Sequence, residues 1–570
     1  MSVAGQILAA LRGARRVQVP HLEGAVRAHV AAELVAKGRR PILFGHDDDD
    51  AERLVRDLAF LLGTTEDEAA EQGIVHLAPE SHSPWEEATP DGRAVMERIA
   101  SLYRLSRERS AVRAVVTSPS ALVRRVVPPA WLDNVQFVLE GVELDREAFL
   151  EQLALTGYNA VNTVEDPGTF CVRGGIIDVF SPYLAQPVRI DLFGDEVESI
   201  HRFDPSTQRN LESLEEATIL PVREIVFTPD TVETALERVD EIAEDSNIPT
   251  RRLRAIKEDI ENRVHFFGIE TLLPLFHPSG LAPASEYLAV EGDVVLGLDD
   301  DRLQAVERDL WTEAVHEHGR AEAEHRIALA PERFFGDAES TAKELLRNTA
   351  RVDFPEMVVE SFPKVEVRFD TIDNLRSEIL KATRNPSHDD IMSPLVTRLR
   401  EWRSRGKTTV IACQTRGQAE RLRQMLSPKG VQVRLVQDRF DLPSFLRRIE
   451  DRAEKAPFRD RSIHAFIVLG DVSSGYLLED GPLAVLSEEQ IFGQRTRRRK
   501  KRAVPAGERL ADLRDLEPGD FVVHVDYGIG LYRGMSKLAV NGVDSDFLNI
   551  EYKSGDKLYL PVHRLRLVQK

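Results

Sequence analysis

Short apolar segments alternate with amphipathic helical segments from the first residues onward, and that alternation restricts the fold more than any other feature of the chain. Val17 to Val19 is strand-like and precedes a helix from about Ala25. Pro41 to Gly45 precedes a helix over Ala51 to Leu62, in which Leu54, Val55, Leu58, Leu61 and Leu62 form one apolar stripe. Gly73 to Leu77 and Ala111 to Thr117 repeat the pattern, the second followed by Ser118, Pro119 and a further helix. Strands separated by helices of this length pair in parallel, so a Rossmann or RecA type of sheet is predicted. At 570 residues the chain exceeds one hydrophobic core, and at roughly 100–200 residues per domain it divides into three to five units.

After about Val135 the pattern changes to hairpins, with Gly174-Gly175-Ile176-Ile177-Asp178-Val179-Phe180 and Val188-Arg189-Ile190-Asp191-Leu192-Phe193 set between glycines and prolines. This predicts an inserted α+β domain over 136–220. Residues 1–135 and 221–355 then complete one domain around it, with helical sequence from Asp230 to Asn262. A further α/β domain spans 365–490, with strands over Thr408 to Ala412, Val431 to Val436, His464 to Leu469 and Leu483 to Leu486. A basic linker covers 491–513. Residues 514–570 alternate short apolar strands with glycine turns, from Pro518-Gly519-Asp520 through Gly528-Ile529-Gly530 and Gly534, and predict a small all-β barrel of SH3 or Tudor type.

Bulk properties exclude several classes. A net charge of -20 disfavours nucleic-acid binding over the whole surface, because phosphate contacts need concentrated Lys and Arg. One basic run stands out, Arg495 to Arg502. It reads first as a solvated linker and otherwise as a contact with DNA or another anionic surface, through Arg497, Arg498, Arg499 and Lys500. Cys171 and Cys413, the only two cysteines, can neither staple a protein of this size nor form a metal cluster. No secretory start or membrane span is evident, so the expected location is cytoplasmic, with no membrane partner.

Four segments imitate nucleotide or metal chemistry. Gly406-Lys407-Thr408 looks like the end of a phosphate loop, yet Glu401 stands where the earlier glycine belongs, and a strand, not a helix, follows. Leu483-Ala484-Val485-Leu486-Ser487-Glu488-Glu489-Gln490 imitates a Walker B strand with Ser487 in place of the metal-binding aspartate, and a structural reading is preferred. Asp47 to Asp50 reads as a solvated loop and helix start, since successive side chains there give no fixed cage. At Val19 to Ala28 the strand, turn and helix are in order, and the region resembles the nucleotide-binding lobe of the repair protein UvrB. Gly24 keeps the last loop glycine, while Ala25 and Val26 replace the phosphate-binding Lys and the metal-binding hydroxyl residue. The resemblance thus implies degenerate RecA/Rossmann-like domains that have lost their catalyst, and no cofactor in this chain.

In Val188 to Phe193, alternation puts Ile190 and Leu192 on one face and Arg189, Asp191 and Phe193 on the other. If the first pair faces the core, Phe193 points outward as a partner anchor, with Arg173 joining from the neighbouring strand. The alternative places Phe193 in the core and both arginines in surface ion pairs. Thr169-Phe170-Cys171-Val172-Arg173-Gly174-Gly175-Ile176-Ile177-Asp178-Val179-Phe180, with Arg189 to Ile200 and Phe203-Asp204, resembles the UvrA-binding domain shared by UvrB and the Mfd family of bacterial transcription-repair coupling factors. The resemblance implies that Arg173, Arg189 and Phe193 contact UvrA. The terminal segment is similar to the RNA-polymerase-interacting module of the same family and of the CarD regulators. This implies edge pairing with the RNA polymerase β subunit near Val522, Val523, His524, Arg533, Met535 and Leu538, with Leu538 foremost.

Members of that family continue into an ATP-driven DNA translocase, to which ATP, magnesium and most DNA contact belong. The chain stops at Lys570, and is expected to be the N-terminal part of such a factor, not an enzyme, that docks on stalled polymerase and recruits UvrA to begin nucleotide excision repair. Two alternatives stay open: a CarD-like regulator that binds polymerase without a repair role, and an ATPase with an unrecognised site.

Overall fold

The computed structural model describes residues 2–569, leaving out 81, 87–90, 245–247, 267, 385–390, 451–457, 459, 461, 494–515, 517, 525–527, 541–542, 554 and 562–567. The basic run carrying Arg497, Arg498, Arg499 and Lys500 therefore lies outside the described residues.

The first domain is built on a six-stranded sheet. Its strands, Arg16–Gln18, Ala350–Asp353, Val294–Leu296, Pro41–Phe44, Ala114–Thr117 and Ile74–Leu77, lie side by side in that order. Every pairing is parallel, as the helical crossovers require. The helix predicted from Ala51 begins earlier, as Asp48–Leu61, because the Asp47 side chain caps Asp50 N and the acidic first turn suits a helix N-terminus. The second α/β domain has four parallel strands, Leu483–Ser487, Thr408–Cys413, Ala465–Leu469 and Val433–Leu435. Two short antiparallel strands, Tyr476–Leu478 and Phe369–Asp370, extend one side.

These two domains share a core. One apolar cluster joins Ala25, Val30, Leu54, Leu58 and Phe60 to Val436, Phe440, Phe466, Val468 and Tyr476. The helix Ala25–Ala36 is buried from Ala25 through Leu34. An amphipathic helix has one wet face; this one is covered on both sides, which explains why apolar residues occur around its whole circumference.

The insert is a six-stranded sheet over Asn159–Leu214 with a helix, Arg146–Leu155, packed on it, and it has its own apolar core. Tyr183 joins it to the first domain, where it stacks edge-on against Tyr103 and lies under the Arg104 guanidinium.

The terminal domain is all-β, as expected. Its five strands run Lys557–Pro561, Val543–Glu551, Gly528–Val540, Phe521–His524 and Val568–Gln569, all neighbours antiparallel. Among the described residues no pairing joins the two outer strands, so the described strands form a five-stranded sheet and no closed barrel. Glycine turns fix hairpins, whereas closure depends on pairing between distant ends.

Candidate functional site

Gly24 sits at φ +55, a conformation that favours glycine, and a Cβ there would lie 2.9 Å from Ser474 Oγ. Ala25 N donates to that same hydroxyl at 3.3 Å. The helix N-terminus where a phosphate would bind is thus met by a serine from the second domain. Next to it, Ser473 donates from its N and its Oγ to the two carboxylate oxygens of Asp57, each at 2.6 Å. Burial pushes the Asp57 carboxyl up to about 6, against the two serine hydrogen bonds.

Asp50, read from sequence as part of a solvated loop, is buried instead. Arg27 Nη2 donates to its two oxygens at 2.8 and 2.7 Å, and His46 N donates at 2.8 Å. A charge at that depth persists only with a partner, and Arg27 supplies it. Lys407, in the segment Gly406-Lys407-Thr408 that looks like the end of a phosphate loop, donates to the Leu478 carbonyl at 2.8 Å and to that of Gly481 at 2.6 Å. Ser487 caps the short helix Glu488–Phe492, with Gln490 closing a capping box. Both residues hold the chain together.

The insert presents a different arrangement. Strands Thr169–Arg173 and Ile176–Val179 are joined by Gly174-Gly175, and Val188–Phe193 and Glu196–Phe203 by Gly194-Asp195. Because Ile176 pairs with Asp191, both turns fall at the same end of the sheet. Gly175 allows close approach there: Leu192 N donates to its carbonyl at 2.8 Å, and a Cβ on it would stand 2.8 Å from the Leu192 oxygen. Phe193 is 79% exposed. This excludes the alternative in which it fills the core, while Ile190 is buried and Leu192 half-buried as the alternation predicts.

Both arginines converge on one carboxylate. Asp178 is fully buried, yet it accepts from Arg173 Nη2, from Arg189 Nε at 2.8 Å and from Arg189 Nη2 at 3.0 Å. Arg189 Nη1 donates to Asn210 Oδ1 at 3.0 Å, and the guanidinium carbon lies 4.7 Å from the Phe203 ring centroid. The Arg173 side chain remains 49% exposed and that of Arg189 only 15%. Sequence reading overlooked Asp178. Its signal was an acid inside the otherwise apolar run Ile176-Ile177-Asp178-Val179, since buried acids are rarely left unpaired.

In the terminal domain Val522 and His524 are buried, so their side chains are not offered to a partner as expected; strand alternation turns Val523 outward instead. Met535 is exposed, and Arg533 Nε donates to Glu551 Oε2 at 2.9 Å. Phe521–His524 meets the long strand Gly528–Val540 at Gly528 to Leu531, and has Val568–Gln569 on its other side. Beyond Tyr532, the long strand Gly528–Val540 has Val543–Glu551 on one side and, among the described residues, no strand on the other. Met535 and Leu538 both lie on this open stretch; the Leu538 side chain is outside the described set.

Residues 138–225 match the family model described as the UvrB interaction domain. Residues 516–570 match the one described as the CarD-like/TRCF RID domain. The molecule is therefore a pair of fused α/β lobes that carries two recognised interaction domains. Over nearly its full length it is similar to transcription-repair-coupling factors. It is 36% identical over 574 residues to the one from Myxococcus xanthus, covering 99% of this chain and 46% of that relative. It is 25% identical over 576 residues to the one from Bacillus subtilis, covering 96% of this chain and 44% of the relative. The one from Haemophilus influenzae is 25% identical over 503 residues, covering 85% of this chain and 40% of the relative. The chain spans about half the length of the curated relatives it matches. Among the described residues no helix is long and apolar enough to cross a membrane.

Proposed function

We propose that this chain is the N-terminal, partner-binding part of a transcription-repair coupling factor. It docks on stalled RNA polymerase through the terminal domain and recruits UvrA through the insert, so that excision repair starts where transcription stopped. The observation that carries the reading is Phe193, a large apolar side chain left exposed beside Arg173 at one end of a sheet matched by the UvrB interaction domain model. An aromatic flanked by arginine is the composition of a binding hot spot. Polymerase docking is supported by the open stretch of Gly528–Val540, whose free main-chain groups suit strand addition to the β subunit. The α/β lobes serve as a scaffold, working in the cytoplasm without nucleotide or metal, and ATP-driven movement along DNA belongs to the remainder of a full-length factor. Ser474 at the helix N-terminus and the loss of Lys and hydroxyl groups at Ala25 and Val26 support that division. Titrating ATP and magnesium into the purified chain is expected to give no binding heat.

Phe193→Ala tests the recruitment half. It is expected to weaken UvrA capture by roughly thirtyfold or more, with polymerase binding and melting temperature unchanged. Full UvrA capture by this variant would leave the CarD-like reading, a polymerase-binding regulator without repair function, as the better one.

A further inference from the structure

We infer that Asp178 and Arg189 form a buried positioning pair whose role is to aim the Arg173 guanidinium at the partner, so that Arg189 acts through Arg173 and makes no direct contact of its own. The inference rests on the reading of the insert as a UvrA-binding surface and deepens it: of the three residues that the family resemblance assigns to contact, one is reassigned and an unassigned fourth is added.

The argument is one of available donors. Arg189 directs Nε and Nη2 into Asp178, and Nη1 to Asn210 Oδ1 and the Gln208 carbonyl at 3.0 and 3.3 Å. Its flat face lies over the buried Phe203 ring. Recruiting it to a partner would break a bidentate ion pair on a carboxylate with no solvent exposure, and leave that charge unmatched. Arg173 differs. It reaches Asp178 through Nη2 alone, and half of its side chain is in solvent.

Strand register explains the arrangement. Asp178 pairs with Arg189 on one side and Cys171 on the other, and Arg173 follows Cys171 by two residues, so all of these side chains stand on one face. One carboxylate between two guanidinium groups keeps them from repelling each other and leaves the exposed part of Arg173 as a charged donor towards the end of the sheet where Phe193 emerges. A long side chain held in this way loses less freedom on binding than one waving in solvent. The partner surface that fits offers a carboxylate to Arg173 and an apolar recess for the Phe193 ring.

The test is a double-mutant cycle on the whole chain, read as affinity for purified UvrA beside the melting temperature. Asp178→Asn is expected to weaken binding by about tenfold while the chain stays folded at the assay temperature. In an Arg173→Ala background the same change is expected to cost less than about twofold, because nothing remains to be aimed. A purely architectural Asp178 predicts the same factor in both backgrounds, and that result overturns the inference. So does wild-type affinity of Asp178→Asn when Phe193→Ala has lost binding. Wild-type affinity in both Phe193→Ala and Arg173→Ala removes the recruitment reading and the inference with it. If Asp178→Asn unfolds the insert, Arg189→Lys replaces it in the cycle: it keeps the charge but cannot grip both oxygens, and the same collapse of its effect without Arg173 is expected.

Discussion

Two arginine–aspartate pairs, one in the α/β lobes and one in the insert, show what separates a lock from a handle. In Arg27–Asp50 both side chains are sealed, at 3% and 10% exposure, beneath the corner where a nucleotide fold keeps its phosphates. In Arg173–Asp178 the carboxylate is just as deep, but the guanidinium is half out in solvent. The chemistry of the two pairs is the same, and only the depth of the cation differs. The first can do no more than brace the helices Ala25–Ala36 and Asp48–Leu61 within one lobe. The second keeps one end of a charge on offer, and the neighbouring exposed phenylalanine gives a partner reason to approach it. Residue type alone is therefore a poor guide to the role of such a pair, and exposure of the charged end is a better one.

Breaking the lobe pair is the severest test of that distinction. Asp50→Ala leaves Arg27 buried without its partner, and a loss of about 3–5 kcal/mol of stability is expected by chemical denaturation. The folded fraction should still capture UvrA as the unaltered chain does. Impaired capture at full folding would mean that the lobes and the insert do not divide labour in this way.

Asp57 comes next in size. Its folded value of about 6 lies above the 3.8 of an ordinary aspartate, because burial penalises the ionised form. The fold therefore favours the protonated acid. The contribution to stability is full below about pH 4 and is lost as the pH rises through 6, a cost of about 3 kcal/mol by pH 7.5. Half-buried His76 and buried His277, each pushed down to about 4 by desolvation, change stability in the opposite sense as the pH falls below 6.5. The readout is thus the difference between Asp57→Asn and the unaltered chain. The variant is expected to be the more stable at pH 7.5, with the gap closing by pH 4. A gap independent of pH would mean that Asp57 does not ionise in the folded protein.

How much of this was written in local sequence depends on distance along the chain. The parallel strands were legible: Thr408–Cys413 and Leu483–Ser487 fall within a residue of their predicted ends, because a buried strand announces itself as a continuous apolar run. The outward turn of Phe193 was legible from period-two alternation. Tyr476–Leu478 was not, since three residues carry no period and become a strand only by pairing with Leu483–Ser487. The sealing of the nucleotide corner was equally hidden. Ser473 meets Asp57 and Tyr476 meets His29 across 416 and 447 residues, and no window on the sequence spans both partners. In the insert Arg173 and Arg189 meet on Asp178 and Phe193 emerges towards the same end of the sheet, but the difference between the two arginines was not legible, because it depends on the shared acid beneath them.

The smallest effect concerns a charge pair between the lobes that resembles a lock only on a contact map. Arg439 of the second domain reaches Glu68 of the first and, mainly through that hydrogen bond, holds the Glu68 carboxyl below the ordinary range. Both side chains are nearly half exposed. Water and salt screen such a pair, and fixing two long side chains costs entropy, so Glu68→Gln is expected to lower stability by less than about 1 kcal/mol. Raising the ionic strength should shrink even that difference. The junction is held instead by the apolar contacts of Phe60 with Phe440 and by the buried Asp57–Ser473 and His29–Tyr476 bonds. A loss as large as that of Asp50→Ala would show that exposed charge at this seam binds the lobes as firmly as buried charge, and the distinction drawn from depth would no longer hold.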